Sequence, residues 1–466
     1  MAPAPRSETP QPHIYPLDPQ KITAEEIAVI FAMTSRRPEP FDEIAKLVTA
    51  EKAADFHERW VVGYGHASVA EHAVLHLAVE NISRLACDAL EDNRLASYTE
   101  KSSRYQVMPP GSYHVPAELE GHPLRQAYVE TCEALFAAYQ ELVRGTQAHL
   151  GTVRPRQNGE RDAAYSLRLR REATDSCRFV LPAATLTNVG VTMNARTLEH
   201  AITKLLSSEM AEEHALGKEL KQQGQAITPT LVKYAEKSAY LAETRAAQRR
   251  EGERMAPAPP SSSQDATLVH HDPQAEEKVA AAFLYRYASR PYLDVWDKVL
   301  RMDEAERRRL IGEALSRLGP HDAPIRELEQ VYYTFELVLD YGAYREFKRH
   351  RMQSYFAQPL TVELGYVVPP LLEEAGLGET FRQAMASAEA GYRQLASGLP
   401  LAAQYLVTHA HKRRVLATMD LRQCYHLFKL RTQPSAHFSL VAVMQQALEA
   451  ARRVHPALFQ HLRLRA

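Results

Sequence analysis

"DNRLASYTEKSSRY" (residues 92–105) and "RHRMQSYFAQPLTV" (residues 349–362) align on Arg-x-x-Ser-Tyr, with Arg94, Ser97 and Tyr98 set against Arg351, Ser354 and Tyr355. Each stretch lacks what the other keeps. The first opens Asp-Asn where the second opens Arg-His, and it carries Arg104 where the second has Thr361. The offset is 349 − 92 = 257. Working outward, other elements line up in the same order. "TSRRPEPFDEIAKLV" (34–48) echoes "ASRPYLDVWDKVL" (288–300), and "GHASVAEHAVLHLAVE" (65–80) faces "PHDAPIRELEQVYYTFELVLD" (320–340). Downstream, "MNARTLEHAITKLL" (193–206) faces "MDLRQCYHLFKLR" (419–431), at an offset of 422 − 196 = 226. Several elements repeated in one order indicate an internal duplication rather than chance similarity.

The domain boundaries follow. Residues 1–20 are proline-rich and read as a flexible tail, and residues 251–274 read as a Pro/Ser linker. Residues 21–250 and 275–466 are then the two copies. Apolar periodicity predicts helices over 123–149, 275–288 and 383–397, and over "NARTLEHAITKLL" and "LRQCYHLFKLR". "AVLHLAVE" and "VYYTFELVL" read as strands, so the class is α+β, helix-rich, with two copies of one domain. The charged stretch 144–172 reads as helix ends and a loop, and its "RLRRE" run as a solvated face.

Composition narrows the function. The 466 residues carry 56 basic and 57 acidic side chains, which disfavours a general nucleic-acid binder and leaves phosphate recognition to local clusters. The four cysteines are far apart and form no C-x-x-C pair, so neither a disulfide framework nor a metal site is expected. The opening residues lack an apolar signal core and there is no 18-residue apolar run, so the expectation is a cytoplasmic protein without a membrane partner.

The motifs resemble those of the flavin-dependent thymidylate synthases, whose signature runs Arg-His-Arg-x-x-Ser-x-x-x-x-Ser-x-Arg-Tyr. The first half matches at Arg94, Ser97, Ser102, Arg104 and Tyr105, with Glu100 where the family has Glu; the second matches at Arg349, His350, Arg351 and Ser354. "GHASVAEH" (65–72) resembles the turn before the signature, "CRFVLP" (177–182) an Arg-x-x-Leu-Pro segment, and "MNARTLEH" and "LRQCYHLFKLR" the closing helix.

The resemblance implies reductive C5 methylation of dUMP to dTMP. Methylenetetrahydrofolate supplies the carbon, FAD is the cofactor and NADPH the reductant. It also implies sites shared between subunits. One subunit gives the first signature Arg and the closing-helix Arg, and its neighbour gives the Glu-to-Arg stretch and the Arg before Leu-Pro. The two halves of this chain divide those residues. The first keeps Glu100, Lys101, Ser102, Ser103, Arg104 and Arg178; the second keeps Arg349 and Arg431. Where the second has Arg431 the first has Leu206, and where the first has Arg178 the second has Gln404. The expectation is therefore a fused pseudo-dimer with one composite nucleotide site, two chains making a homodimer with four such domains.

At that site Arg104 and Arg178 are suited to phosphate, since each guanidinium presents a fork of N–H donors. Ser102 and nearby N–H groups complete a cradle. Arg431 is expected at the uracil edge, as the catalytic residue stabilising developing negative charge. The resemblance assigns FAD to Arg349, His350, Arg351, Glu100, His66, Ser68, Asn194, Arg196, His200, Arg422 and His426. Arg196/His200 and Arg422/His426 are each four apart and share a helix face. Arg431 lies about 140° around the helix from His426 and addresses a different ligand. Cys424 is expected on the helix face near the flavin residues. Glu346 stands where the family has Gln, a hint that the same chemistry acts on another pyrimidine nucleotide. A non-catalytic flavin or nucleotide binder is the remaining alternative.

Overall fold

The computed structural model describes residues 14–255 and 264–465. The first thirteen residues of the expected tail and residues 256–263 of the expected linker lie outside the described residues. In chain order the elements that matter are β1 (Val74–Ser83), α1 (Arg84–Leu90), β2 (Ala96–Glu100), α2 (Arg125–Val153), α3 (Asp162–Cys177), β3 (Leu186–Asn194) and α4 (Ala195–Leu206). They continue with β4 (Ala266–His271), α5 (Ala275–Ala288), β5 (Tyr332–Asp340), α6 (Tyr341–Phe347), β6 (Ser354–Ala357), α7 (Gly378–Ala396), β7 (Lys412–Asp420), α8 (Leu421–Arg431) and α9 (Phe438–Val454). Residues 266–271, read from sequence as linker, form β4 instead. The run "ATLVHH" finds its antiparallel partner in β5, a long-range pairing that local composition does not announce.

The matching elements of the two halves begin alike. Ser83 caps α1 and Asp340 caps α6, each accepting the N–H three residues on. Asn194 caps α4 and Asp420 caps α8 in the same way. Such caps contribute about 1 kcal/mol each by satisfying an otherwise unpaired N–H. An amide and a carboxylate oxygen serve equally, so Asn194 and Asp420 are interchangeable here.

The chain resolves into two compact units. The first comprises residues 14–80, 95–100 and 188–250. It holds most of a three-stranded sheet ordered β1-β3-β2, with β2 antiparallel to β3, followed by α4. Glu25, in an N-terminal helix, is buried and accepts from the N–H groups of Thr230 and Leu231 at 2.9 and 3.0 Å, tying the ends of this unit together.

The second unit comprises residues 81–94, 101–187, 251–255 and 264–465 and so contains segments of both sequence halves. Its sheet has the order β4-β5-β7-β6, antiparallel throughout. Its core joins α2 and α7 through Leu135, Phe136, Tyr139, Phe179, Phe381 and Met385. Gly391 permits that approach, because a Cβ there would lie 2.6 Å from Thr131 Oγ1.

The segments around "CRFVLP" and "QYLVTHAH" meet in this unit about a local two-fold relation. Ala183 N–H donates to Val407 C=O at 2.8 Å, and His409 N–H to Leu181 C=O at 3.0 Å. Ala184 N–H donates to Tyr405 C=O at 2.8 Å, and Ala410 N–H to Phe179 C=O at 3.0 Å. Each second bond is the first with the halves exchanged, since 409 − 183 = 407 − 181 = 226. Pro182 bridges Thr408, its own counterpart. Residue i meeting residue j while the counterpart of i meets that of j is the pattern of an isologous interface, here within one chain.

Candidate active site

The backbone pairing just described fixes Arg178, which sits where α3 tightens into a single 3-10 turn, Arg178–Val180. His409 reinforces that segment: its Nδ1 donates to Leu181 C=O at 2.7 Å, which leaves Nε2 to accept from Arg345 Nη1 at 3.3 Å. Arg104 comes from the loop after β2. Ser102 Oγ accepts from Arg104 N–H at 3.2 Å, and Thr174 Oγ1 on α3 donates to Arg104 C=O at 2.7 Å. Arg431 closes α8; at the offset of 226 its counterpart is Leu205, one residue before the Leu206 that closes α4 and that the motifs set against it.

These three arginines converge on two carboxylates. Arg104 Nη2 lies 2.7 Å from Asp175 Oδ2 on α3, and its Nη1 lies 3.5 Å from Glu346 Oε1 on α6. Arg431 Nη1 lies 3.3 Å from Glu346 Oε2. Glu346 therefore links the arginine expected at the phosphate to the one expected at the base. Arg178 Nε donates to Asp175 C=O at 3.3 Å, and its Nη2 stands 3.1 Å from Asp175 Oδ1. That last contact is an ion pair only: neither atom has a well-directed hydrogen-bond partner among the described residues.

Three guanidiniums stand against two carboxylates, and buried Arg345 adds a further positive charge acting on Arg178. Burial pushes Arg178 below its usual pKa, with Asp175 opposing and Arg104 adding repulsion. Burial likewise lowers Arg431, opposed by Glu346 and aided by Arg349 and Arg104. For Arg104 burial also disfavours the charge, but the charge and hydrogen bond of Asp175 outweigh it and the net shift is upward. Two guanidiniums strained by desolvation favour an anion that brings further negative charge.

His350 is buried beside them. Its Nε2 accepts from Arg431 Nε at 2.8 Å, and its ring lies edge-on to exposed His426 at 5.4 Å. Burial, with the charges of Arg431 and His426, pushes His350 down to about 3, so the ring is neutral with its hydrogen on Nδ1. Arg349 and Arg351 are exposed on either side, and Arg351 Nη1 donates to Arg94 C=O at 3.3 Å.

The second unit thus brings together Arg104, Arg178 and Arg431 with Glu346, His350, Ser102 and buried Ser103, from both sequence halves. Lys101, half-buried in the same loop, offers its C=O to Arg84 Nη2 at 3.1 Å. Arg422 is held by Pro324 C=O and Glu329, both at 2.8 Å. Cys424, expected beside the flavin residues, is fully buried instead. Its burial pushes the thiol well above its usual pKa, so it is a core residue. Asp175 carried no motif in the sequence; only its place three residues before Arg178 on a helix pointed to it.

The other candidates lie in the first unit. Glu100 ends β2 opposite Val189. His66 and Ser68 are exposed in the turn after Gly65, whose φ of 76° suits glycine. Arg196 pairs with Glu71 at 2.5 Å, both exposed, and His200 is exposed one turn on. The side-chain oxygen of Asn194 is occupied by the cap of α4. Among the described residues no helix is long and apolar enough to cross a membrane.

The profile of the thymidylate synthase complementing protein family matches residues 19–230 and again 267–457. A UPF0159 protein of Chlamydia muridarum is 32% identical over 429 residues, covering 87% of this chain and 80% of the relative. A flavin-dependent thymidylate synthase of Thermococcus kodakarensis is 32% identical over 155 residues, which is 32% of this chain and 54% of that protein. A solved Helicobacter pylori flavin-dependent thymidylate synthase, complexed with FAD and dUMP, is 20% identical with a TM-score of 0.30, covering 43% of this chain and 97% of its own. With matches that span both halves, this chain belongs to the thymidylate synthase complementing protein family, the flavin-dependent thymidylate synthases, and carries the family's domain twice.

Proposed function

We propose that the chain is a flavin-dependent thymidylate synthase-like enzyme that methylates dUMP at C5, with methylenetetrahydrofolate as carbon donor and NADPH as reductant, at one composite site per chain. The observation that carries this reading is the convergence of Arg104 and Arg178 from one copy with Arg431 from the other around Asp175 and Glu346. Arg104 and Arg178 take the phosphate, displacing Asp175 from part of their donor set, and Ser102 and Ser103 line the same loop. Arg431, steered by His350 and Glu346, presents its guanidinium to the N3/O2 edge of the ring, where negative charge develops during attack at C5.

The chemistry of the donor set fits a flavin. Exposed Arg349 and Arg351 suit the diphosphate, while neutral His350 and exposed His426 offer ring edges to an aromatic system. When bound, FAD supplies the reducing equivalents that complete the methyl group. His350 contributes as a neutral acceptor that fixes Arg431, since protonation would break their hydrogen bond.

Glu346 favours a second reading. Unlike the family's Gln, a carboxylate between Arg104 and Arg431 accepts but cannot donate to a ring carbonyl, so the same chemistry on another pyrimidine nucleotide is the alternative. A binder without turnover is the third. Release of labelled C5 hydrogen from dUMP tests all three on the full chain with FAD, NADPH and methylenetetrahydrofolate. Release coupled to dTMP formation supports the synthase. Bound flavin and dUMP without release supports the non-catalytic binder, and absence of dUMP binding supports the other pyrimidine.

A further inference from the structure

Asp340, Ser439 and His437 form a chain of hydrogen bonds that the nucleotide reading does not use. Asp340 Oδ1 caps α6, accepting from Ala343 N–H at 2.8 Å, while its Oδ2 accepts from Ser439 Oγ. Ser439 Oγ in turn meets His437 Nδ1 at 2.8 Å. Asp340 and His437 are each 2% exposed. The His437 ring stacks on Phe179, the residue after Arg178, with centroids 5.1 Å apart.

Counting hydrogens fixes the direction of this chain. Burial, with the charges of Arg178 and Arg104 and neighbouring His409, pushes His437 well below its usual pKa, so the ring is neutral and has one N–H. The single hydroxyl hydrogen of Ser439 goes to the Asp340 carboxylate. Nδ1 must then carry the ring hydrogen and donate to Ser439 Oγ. That leaves Nε2 a bare acceptor, buried without a partner among the described residues. Arg178 Nη2, ion-paired with Asp175 Oδ1 at 3.1 Å, is likewise buried without a well-directed hydrogen bond, and Arg178 is the foremost charge acting on the His437 ring. A buried donor and a buried acceptor left unmatched are unusual separately and complementary together.

We propose that His437 is a positioning residue of the nucleotide site: its Nε2 accepts from Arg178 Nη2 when a ligand phosphate draws the guanidinium off Asp175, and Asp340, through Ser439, holds the ring in the tautomer that can accept. This rests on the nucleotide reading of the site. The relay belongs to one copy, because the counterparts of Asp340, His437 and Ser439 are Ser83, Ala211 and Glu213, at 340 − 83 = 257 and 437 − 211 = 439 − 213 = 226.

The relay is sensitive to acid. Burial raises the Asp340 carboxyl to about 6, against the opposing hydrogen bonds of Ser439 and Ala343 N–H and the charge of Arg178. One proton taken up from solvent by Asp340 reverses the chain. Asp340 then donates to Ser439, Ser439 donates to Nδ1, and the ring hydrogen sits on Nε2, which can no longer accept from a guanidinium. The ionised form is the one that supports binding, so its contribution is present above about 6 and lost as pH falls through that value.

The test is the dissociation constant of dUMP for the full chain, by calorimetry from about pH 5 to about pH 8, for wild type, Ser439→Ala, His437→Phe and His437→Gln. The ionisation of the phosphate itself is common to all four and cancels in ratios to wild type. The expected result is about tenfold weaker binding by Ser439→Ala and His437→Phe at the alkaline end, with ratios approaching one at the acid end. His437→Gln restores affinity without the pH dependence. A ratio that is flat with pH, or unchanged affinity in His437→Phe, overturns the proposal. Nitrogen-15 spectra of the histidine rings read the tautomer without ligand. An Nδ1–H form at the alkaline end that is lost in Ser439→Ala supports the relay, and an Nε2–H form in wild type overturns it. If wild type binds no dUMP, the nucleotide reading fails, and these spectra alone decide the relay.

Discussion

Glu91 and Lys348 hold the same place in the two copies of the domain, at 348 − 91 = 257, yet they carry opposite charges and lie 3.7 Å apart. Lys348 also pairs with Asp88, which in turn takes Arg413 at 3.4 Å. Burial opposes the Lys348 charge, but Asp88 and Glu91 outweigh it and raise its pKa. In a dimer of identical subunits a residue next to the two-fold axis faces itself, and two buried like charges repel. Joined in one chain, the copies are free to become complementary. The same freedom separates Arg178 from Gln404, Arg104 from Thr361 and Arg431 from Leu205: one arginine cluster keeps its cations and its counterpart loses them.

Several changes break or sharpen that comparison. Lys348→Met removes the buried ammonium that pairs with Asp88 and Glu91 and leaves Arg413 as the cation on Asp88, so the stability to urea should fall by about 3–5 kcal/mol. Arg104→Ala and Arg431→Ala should each weaken dUMP binding by about a hundredfold, as expected for losing hydrogen bonds between charged groups, whereas Thr361→Ala and Leu205→Ala leave it unchanged in calorimetry. Gly391→Ala forces the α2–α7 contact apart and should lower stability by about 1–3 kcal/mol while sparing nucleotide affinity.

His350 supplies a test through pH. Its folded pKa of about 3 is below the usual value, so the unfolded chain binds its proton first as pH falls. Stability is fully present above about 6.5 and declines from there toward 3, by about 1.4 kcal/mol per unit. His350→Gln should flatten that decline, read as the urea midpoint at acid and neutral pH. The smallest effect is expected from Glu346→Gln, which raises the local charge by one and should tighten dUMP binding about fivefold.

Much of the fold was legible because it is local. The helix predicted over 275–288 is α5, and "LRQCYHLFKLR" is α8, both marked by apolar periodicity. The strand read in "VYYTFELVL" is β5. The repeat was legible because order and spacing survive when identity does not. β4 was hidden because its partner β5 lies some seventy residues away in sequence. At the site, the arginines were legible through their motifs. Asp175, Asp340, Ser439 and His437 were not, since their contacts reach across elements distant in sequence or lie outside the motifs that the two halves share. Asn194 is a motif residue whose side-chain oxygen caps a helix, as Asp420 does in the other copy.

The central claim is one nucleotide site per chain, built from both copies. Calorimetric titration of dUMP into the full-length protein counts sites directly. The account predicts one dUMP per chain, lost in Arg104→Ala and in Arg431→Ala alike. Two per chain, or one that survives Arg431→Ala, would contradict it.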